Sequence, residues 1–172
     1  LAEISARIGL PAGLLNVVTG NREDASIIGD ALTTSPLVRK LSFTGSTVVG
    51  KQLAAQSAPT LKRVSLELGG NAPFLVFEDA DLDAAVDGAI ASKFRNAGQV
   101  CISPTRFLVH ESIQNDFAAA LVKYTQSLKV GDGAAEGTTM GPLANPRRIT
   151  AMAEFTQDAV QHGATVATGG AR

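Results

Sequence analysis

Apolar positions along the 172-residue chain switch repeatedly between two spacings. Residues 1–9, 22–32, 47–57, 82–95, 111–128 and 146–162 carry them three and four apart, the period of a helix with one buried side. Residues 14–18, 38–43, 62–68, 74–77, 106–110 and 164–167 are short apolar runs between turn residues, which predicts strands. The punctuation agrees. Gly9-Leu10-Pro11 closes the first helix, because glycine accepts a left-handed cap and proline forbids continuation. Ser35-Pro36 stops the second, whose apolar side is drawn from Ala25, Ile27, Ile28 and Leu32. Asp79, Asp81 and Asp83 gather at the start of the fourth, at the positive end of its dipole. Ile113, Phe117, Leu121 and Leu128 form the inner side of the fifth.

Strands alternating with helices predict an α/β fold with largely parallel pairing. No internal repeat or low-complexity tract interrupts the pattern. The turn Gly69-Gly70-Asn71 is the expected boundary between two lobes, residues 1–66 and 67–172. The chain opens at Leu1 rather than Met, already inside a helix, and stops at Gly169-Gly170-Ala171-Arg172 just after a strand. Both ends are expected to be those of a segment cut from a longer protein.

Composition narrows the function classes. Hydrophobic residues make up 45% and charged residues 18%, with a net charge of −1 from 15 basic and 16 acidic side chains. That is ordinary globular material. Without a basic stripe or acidic tail, neither nucleic acid nor an anionic membrane surface is an expected partner. No apolar run reaches the ~20 residues of a membrane span, and no secretory signal opens the chain. A single cysteine forms no internal disulfide, so a reducing, cytoplasmic setting is expected.

That cysteine is the first candidate for chemistry. A lone cysteine is commonly a small buried hydrophobe. Cys101, however, lies past a helix stop in a loop with Gly98, Gln99, Ser103 and Pro104. Such a loop exposes a thiol and brings backbone N–H groups near it, which stabilise a thiolate or an oxyanion formed by its attack on a carbonyl. A nucleophilic thiol needs a base. His110 ends a strand and His162 ends a helix, and both suit surface or capping roles. The remaining candidate is Glu67, in the apolar run Val64-Ser65-Leu66-Glu67-Leu68. It is either a solvent-facing residue of an edge strand or a carboxylate held, partly desolvated, at a strand end where open-sheet enzymes keep their sites. Leu41-Ser42-Phe43-Thr44-Gly45-Ser46 turns from strand to helix within two residues. Ser46 suits an N-cap, and the helix N-terminus it opens offers unpaired N–H groups to a phosphate.

Three segments, Phe43-Thr44-Gly45-Ser46-Thr47, Leu66-Glu67-Leu68-Gly69-Gly70-Asn71-Ala72-Pro73 and Asn96-Ala97-Gly98-Gln99-Val100-Cys101, resemble in order and spacing the signatures of the aldehyde dehydrogenase superfamily. The resemblance runs along the whole chain, from Pro11, Gly13, Asn16 and Val18 to Met140-Gly141-Pro142. It implies parts of two Rossmann-like parallel-sheet domains: residues 1–66 from the NAD(P)-binding domain and residues 67–172 from the catalytic domain. It further implies that Cys101 is the nucleophile and Glu67 the base for hydrolysis of a thioester. Phe43, Thr44, Gly45, Ser46, Leu68 and Gly69 would then border NAD or NADP, and no metal is implied.

By the same resemblance, the substrate is a small aldehyde or semialdehyde and the full-length protein a homodimer or homotetramer. The stretch from Phe94 to Arg106 looks most like bacterial semialdehyde dehydrogenases acting on succinate or 2-oxoglutarate semialdehyde, with Arg106 a candidate contact for the substrate carboxylate. Other residues that grip cofactor and oxyanion in the family lie upstream of Leu1 or downstream of Arg172, so the isolated chain is expected to be inactive. One departure is local: Gly20-Asn21-Arg22-Glu23-Asp24 replaces a shorter glycine-rich turn. Two other readings remain: a redox-independent cysteine thioesterase or acyl transferase, and a non-catalytic fragment that only associates with partners.

Overall fold

The computed structural model describes residues 1–171. Arg172, the last residue of the second expected lobe, lies outside the described residues. The chain divides into two compact units between Leu68 and Gly69.

The first unit contains α1 (Ala2–Arg7), α2 (Ala25–Thr34), β1 (Lys40–Gly45), α3 (Thr47–Ser57) and β2 (Arg63–Leu68). β1 and β2 pair in parallel, with Leu41 opposite Val64, Phe43 opposite Leu66 and Gly45 opposite Leu68. A parallel pair needs a crossover connection, and α3 supplies it. Along both strands burial alternates with period two. Leu41 is buried and Phe43, Val64, Leu66 and Leu68 are half-buried, whereas Lys40, Ser42, Thr44, Arg63, Ser65 and Glu67 are exposed on the opposite face. Gly50, Leu53 and Ser57 of α3 and Thr33 of α2 are buried as well. Thr33 is fully buried because its hydroxyl donates to the Gly29 carbonyl 2.9 Å away. The end of α2 is secured from outside: the Lys62 ammonium donates to the Leu32 and Ser35 carbonyls at 2.9 and 3.0 Å.

The second unit contains β3 (Ala72–Val76), α4 (Leu82–Lys93), β4 (Pro104–Val109), α5 (Gln114–Ser127) and α6 (Pro146–Gln161). β3 and β4 pair in parallel, with α4 as their crossover and a register shift between Ala72 and Pro73. Pro73 has no N–H to give the ladder, so an irregularity at this point is expected. Val76, Val86, Ala89 and Phe117 form the buried core, with Phe74, Phe107, Ile113 and Leu121 packed around it. The aromatic rings run in a chain: Phe74 to Phe107 at 5.4 Å and Phe107 to Phe117 at 6.2 Å between centroids.

Three expectations are corrected. Residues 14–18 and 164–167 are not strands, because among the described residues no ladder forms with either. A strand exists only through its neighbour, and Leu14, Val17 and Val18 stand exposed. Residue 164 belongs instead to the cap of α6: Gly163 takes φ +90°, and the Ala164 N–H donates to the Ala159 carbonyl. α2 begins at Ala25 rather than Arg22, because the Asn21 side chain captures the Glu23 and Asp24 amides in a turn. Its inner side is Ile28, Gly29 and Thr33, while Ala25, Ile27 and Leu32 are exposed.

Phe117 is 3% exposed and is the largest side chain of the second unit's core. Phe117→Ala is therefore expected to cost about 3–5 kcal/mol. Urea denaturation followed by hydrogen exchange of the α5 amides should show the loss, and an unchanged midpoint would contradict this packing.

Candidate active site

The ends of β1 and β2 gather most of the expected cofactor residues. Parallel pairing sets Thr44 opposite Glu67 and Gly45 opposite Leu68 at the carboxyl ends of the two strands. Ser46 follows at once as the N-cap of α3, its hydroxyl accepting from the Val49 N–H at 3.4 Å. Among the described residues the Thr47 and Val48 amides have no acceptor, so the helix presents free donors at the strand ends. A methyl group at Gly45 would run into the Phe43 ring, which would have to turn aside. Leu68 leans over Gly50 of α3, where a Cβ would lie 2.7 Å from its Cδ2.

Glu67 is exposed, as in the solvent-facing one of its two sequence readings, and not partly desolvated as in the other. The cause is its phase in β2: Leu66 and Leu68 turn toward α3, so the residue between them points the other way. In this unit its environment is that of a solvent-facing carboxylate across from Thr44.

Cys101 belongs to the second unit and is exposed. Its loop has an unusual backbone. After α4 ends at Lys93, Asn96, Ala97 and Gly98 all adopt left-handed conformations, with φ +51°, +55° and +73°. Alanine in this region is strained by about 1–2 kcal/mol. Gln99 holds the distortion in place. Its amide nitrogen donates to the Asn96 carbonyl, the Asn96 amide donates back to the Gln99 carbonyl, both at 3.1 Å, and its side-chain oxygen accepts from the Ala144 N–H at 2.9 Å. A turn closed by the Ser103 N–H on the Val100 carbonyl then carries Cys101 and Ile102 at its tip. Ile102 is 73% exposed beside the thiol. Among the described residues the Cys101 amide has no acceptor.

Gly70 passes close behind, where a Cβ would sit 3.0 Å from the Cys101 carbonyl oxygen. A Cβ at Gly69 would meet nothing within 4 Å. The strand that follows the loop is tied down by Lys93, whose ammonium donates to the Pro104 carbonyl at 2.9 Å. Thr105 hydrogen-bonds the Asn71 side-chain oxygen, and Arg106 donates to the Asn71 carbonyl at 3.0 Å. Part of the Arg106 guanidinium is thus engaged with backbone.

The structure brings Phe43, Thr44, Gly45, Ser46, Glu67 and Leu68 together in one unit, and Gly69, Gly70 and Cys101 in the other. His110 contacts Ser112 and lies 3.8 Å from Glu78, and His162 caps α6 against Asp158. Neither lies on the cysteine loop. Among the described residues no group of three potential metal ligands converges, and no helix is long and apolar enough to cross a membrane. The Gln99 clasp was missed from the sequence. The sole local signal was the run Asn96-Ala97-Gly98, since asparagine and glycine tolerate left-handed backbone.

Comparison with known proteins gives the family. The description "Aldehyde dehydrogenase family" matches residues 1–172. The mitochondrial succinate-semialdehyde dehydrogenase of Arabidopsis thaliana is 55% identical over 99% of this chain, which spans 32% of that protein. The NADP(+) succinate-semialdehyde dehydrogenase of Escherichia coli is 52% identical over 99% of this chain, covering 35% of its own length. The crystal structure of succinate-semialdehyde dehydrogenase from Burkholderia pseudomallei superimposes with a TM-score of 0.94 at 53% identity, over 99% of this chain and 35% of that one. The chain therefore spans about a third of the length of the relatives it matches. With a family match along its whole length and an α/β architecture shared with solved members, the chain belongs to the aldehyde dehydrogenase family.

Proposed function

We propose that this chain supplies the nucleophile, the base and part of the cofactor cradle for NAD- or NADP-dependent oxidation of a semialdehyde to a carboxylic acid. The observation that carries the reading is the exposed Cys101 thiol at the tip of a tightly clasped turn. The free donors at the start of α3 fit a dinucleotide pyrophosphate, with Phe43, Thr44, Gly45 and Ser46 on one strand end and Leu68 on the other, and by the family likeness Gly69 also borders the cofactor. Bound there, NAD or NADP supplies the hydride acceptor.

The Cys101 thiolate adds to the aldehyde carbon and forms a C–S bond. The carbonyl oxygen becomes an alkoxide, with the free Cys101 N–H as one donor to it. Loss of hydride from that carbon leaves a thioester on Cys101. Glu67 then takes a proton from water, whose oxygen attacks the thioester, and the C–S bond breaks to release the acid and the thiolate. The role of Glu67 rests on its place at the strand end and on the family likeness. In the unit by itself that carboxylate is solvated. The succinate-semialdehyde dehydrogenases among the relatives point to a substrate with its own carboxylate. Because the chain covers about a third of those relatives, we also propose that it does not turn over aldehyde alone.

The test is a chimera in which residues 1–172 replace the matching third of the Escherichia coli relative. It is expected to reduce NAD(P)+ with succinate semialdehyde. Cys101→Ser should cut turnover by about 10⁴-fold or more. Retained turnover in that variant, or aldehyde-independent ester hydrolysis as the sole activity, would overturn the redox reading.

Glu67→Gln in the same chimera should slow the steady state by about 10²–10⁴-fold while leaving a rapid burst of one reduced cofactor per site. Stopped-flow absorbance at 340 nm separates the two phases. Loss of the burst along with turnover would remove Glu67 from the hydrolytic step.

A further inference from the structure

We propose that the opposite, amino-terminal ends of β1 and β2 form a separate oxyanion site that takes a phosphate group. The recess there is about 550 Å³ and is lined by eight residues, of which Arg39, Lys40, Lys62 and Arg63 are cationic and none is acidic. Lys62 is already spent on the Leu32 and Ser35 carbonyls. Arg39, Lys40 and Arg63 are exposed, and among the described residues no carboxylate lies within 4 Å of any of them.

The register makes this arrangement costly by itself. Lys40 and Arg63 are direct Cα partners in the parallel ladder, so their side chains leave the same face of neighbouring strands. Like charges placed directly opposite destabilise a sheet. Arg39 is drawn to the same end by its carbonyl, which accepts from the Arg63 N–H at 3.1 Å. The approach to this end is also strained. Leu61, at the rim, holds a left-handed backbone with φ +48° while its side chain is 92% exposed. That conformation brings Lys62 inward to α2 and sets Arg63 opposite Lys40. Three unpaired cations around a recess form a cradle for a dianion, with the guanidinium groups suited to bidentate contact. The occupant is therefore inorganic phosphate or the phosphate of a small phosphorylated metabolite.

Titration of the isotopically labelled chain with inorganic phosphate, at constant ionic strength in chloride, tests the site. A small phosphate monoester serves as the second arm, and tighter binding of one arm identifies the source. The amides of residues 39–40 and 60–63 are expected to shift saturably, and phosphate should raise the unfolding midpoint. Lys40→Gln and Arg63→Gln should each weaken binding about ten-fold, the scale of one lost charge-assisted contact. Each should also leave the phosphate-free midpoint unchanged or higher, because a like-charge neighbour is gone. Lys51→Gln, on α3, should change neither quantity. Equal shifts with chloride, shifts confined to residues 45–48, or unaltered affinity in both variants would each overturn the proposal. Shifts at 45–48 would belong to the dinucleotide reading, so the two proposals fail separately.

Discussion

A parallel pair of strands has no local turn to set its register, so the hydrogen-bond ladder between β1 and β2 must be set by what α3 buries against it. Leu41, Phe43, Val64, Leu66 and Leu68 occupy the α3 side because a slip of one residue would carry that whole apolar set to the other face. Everything of chemical interest in the first unit follows from this ladder. It brings Thr44 and Gly45 level with Glu67 and Leu68 at one end, beside the free amides of α3. At the other end it sets Lys40 against Arg63. It also decides which way Glu67 points.

In the second unit the organising device is different. The cysteine turn is not an element of regular structure, and three left-handed residues in succession are an unfavourable path into it. Asn96 and Gly98 bear that conformation readily, and Ala97 does not. The hydrogen bonds of Gln99 offset the cost, each worth about 1 kcal/mol. Lys93 anchors the following strand, and Gly70 leaves room for the loop's carbonyl where any side chain would press on it. The strain is thus held by neighbours whose contacts have no part in the proposed chemistry. That is the pattern expected where a thiol must be kept exposed and in a constant position.

Corrected expectations and successful ones differ in kind. Helices α3, α4 and α6 were legible to within two residues, as were Ser46 and the Asp79-Asp81-Asp83 cluster as start signals, because helix hydrogen bonds and caps join residues three or four apart. The chemical motifs around Gly45, Glu67 and Cys101 were legible for a related reason: each is a short contiguous run whose residue types have few other uses together. Residues 14–18 and 164–167 look like strands by composition and are not, since composition does not provide a partner.

The amino-acid sequence by itself determined the α/β alternation, most of the helix ends, the cysteine loop and the family likeness. Tertiary structure alone decided that Glu67 is solvated, that Gln99 reaches the Ala144 amide, that Lys62 closes α2 and that Lys40 faces Arg63. The division follows the range of the forces. Caps, turns and helical periods are settled within a few bonds of the residue concerned, whereas ladder register and burial depend on groups distant in the chain, and no local pattern encodes which of them will meet.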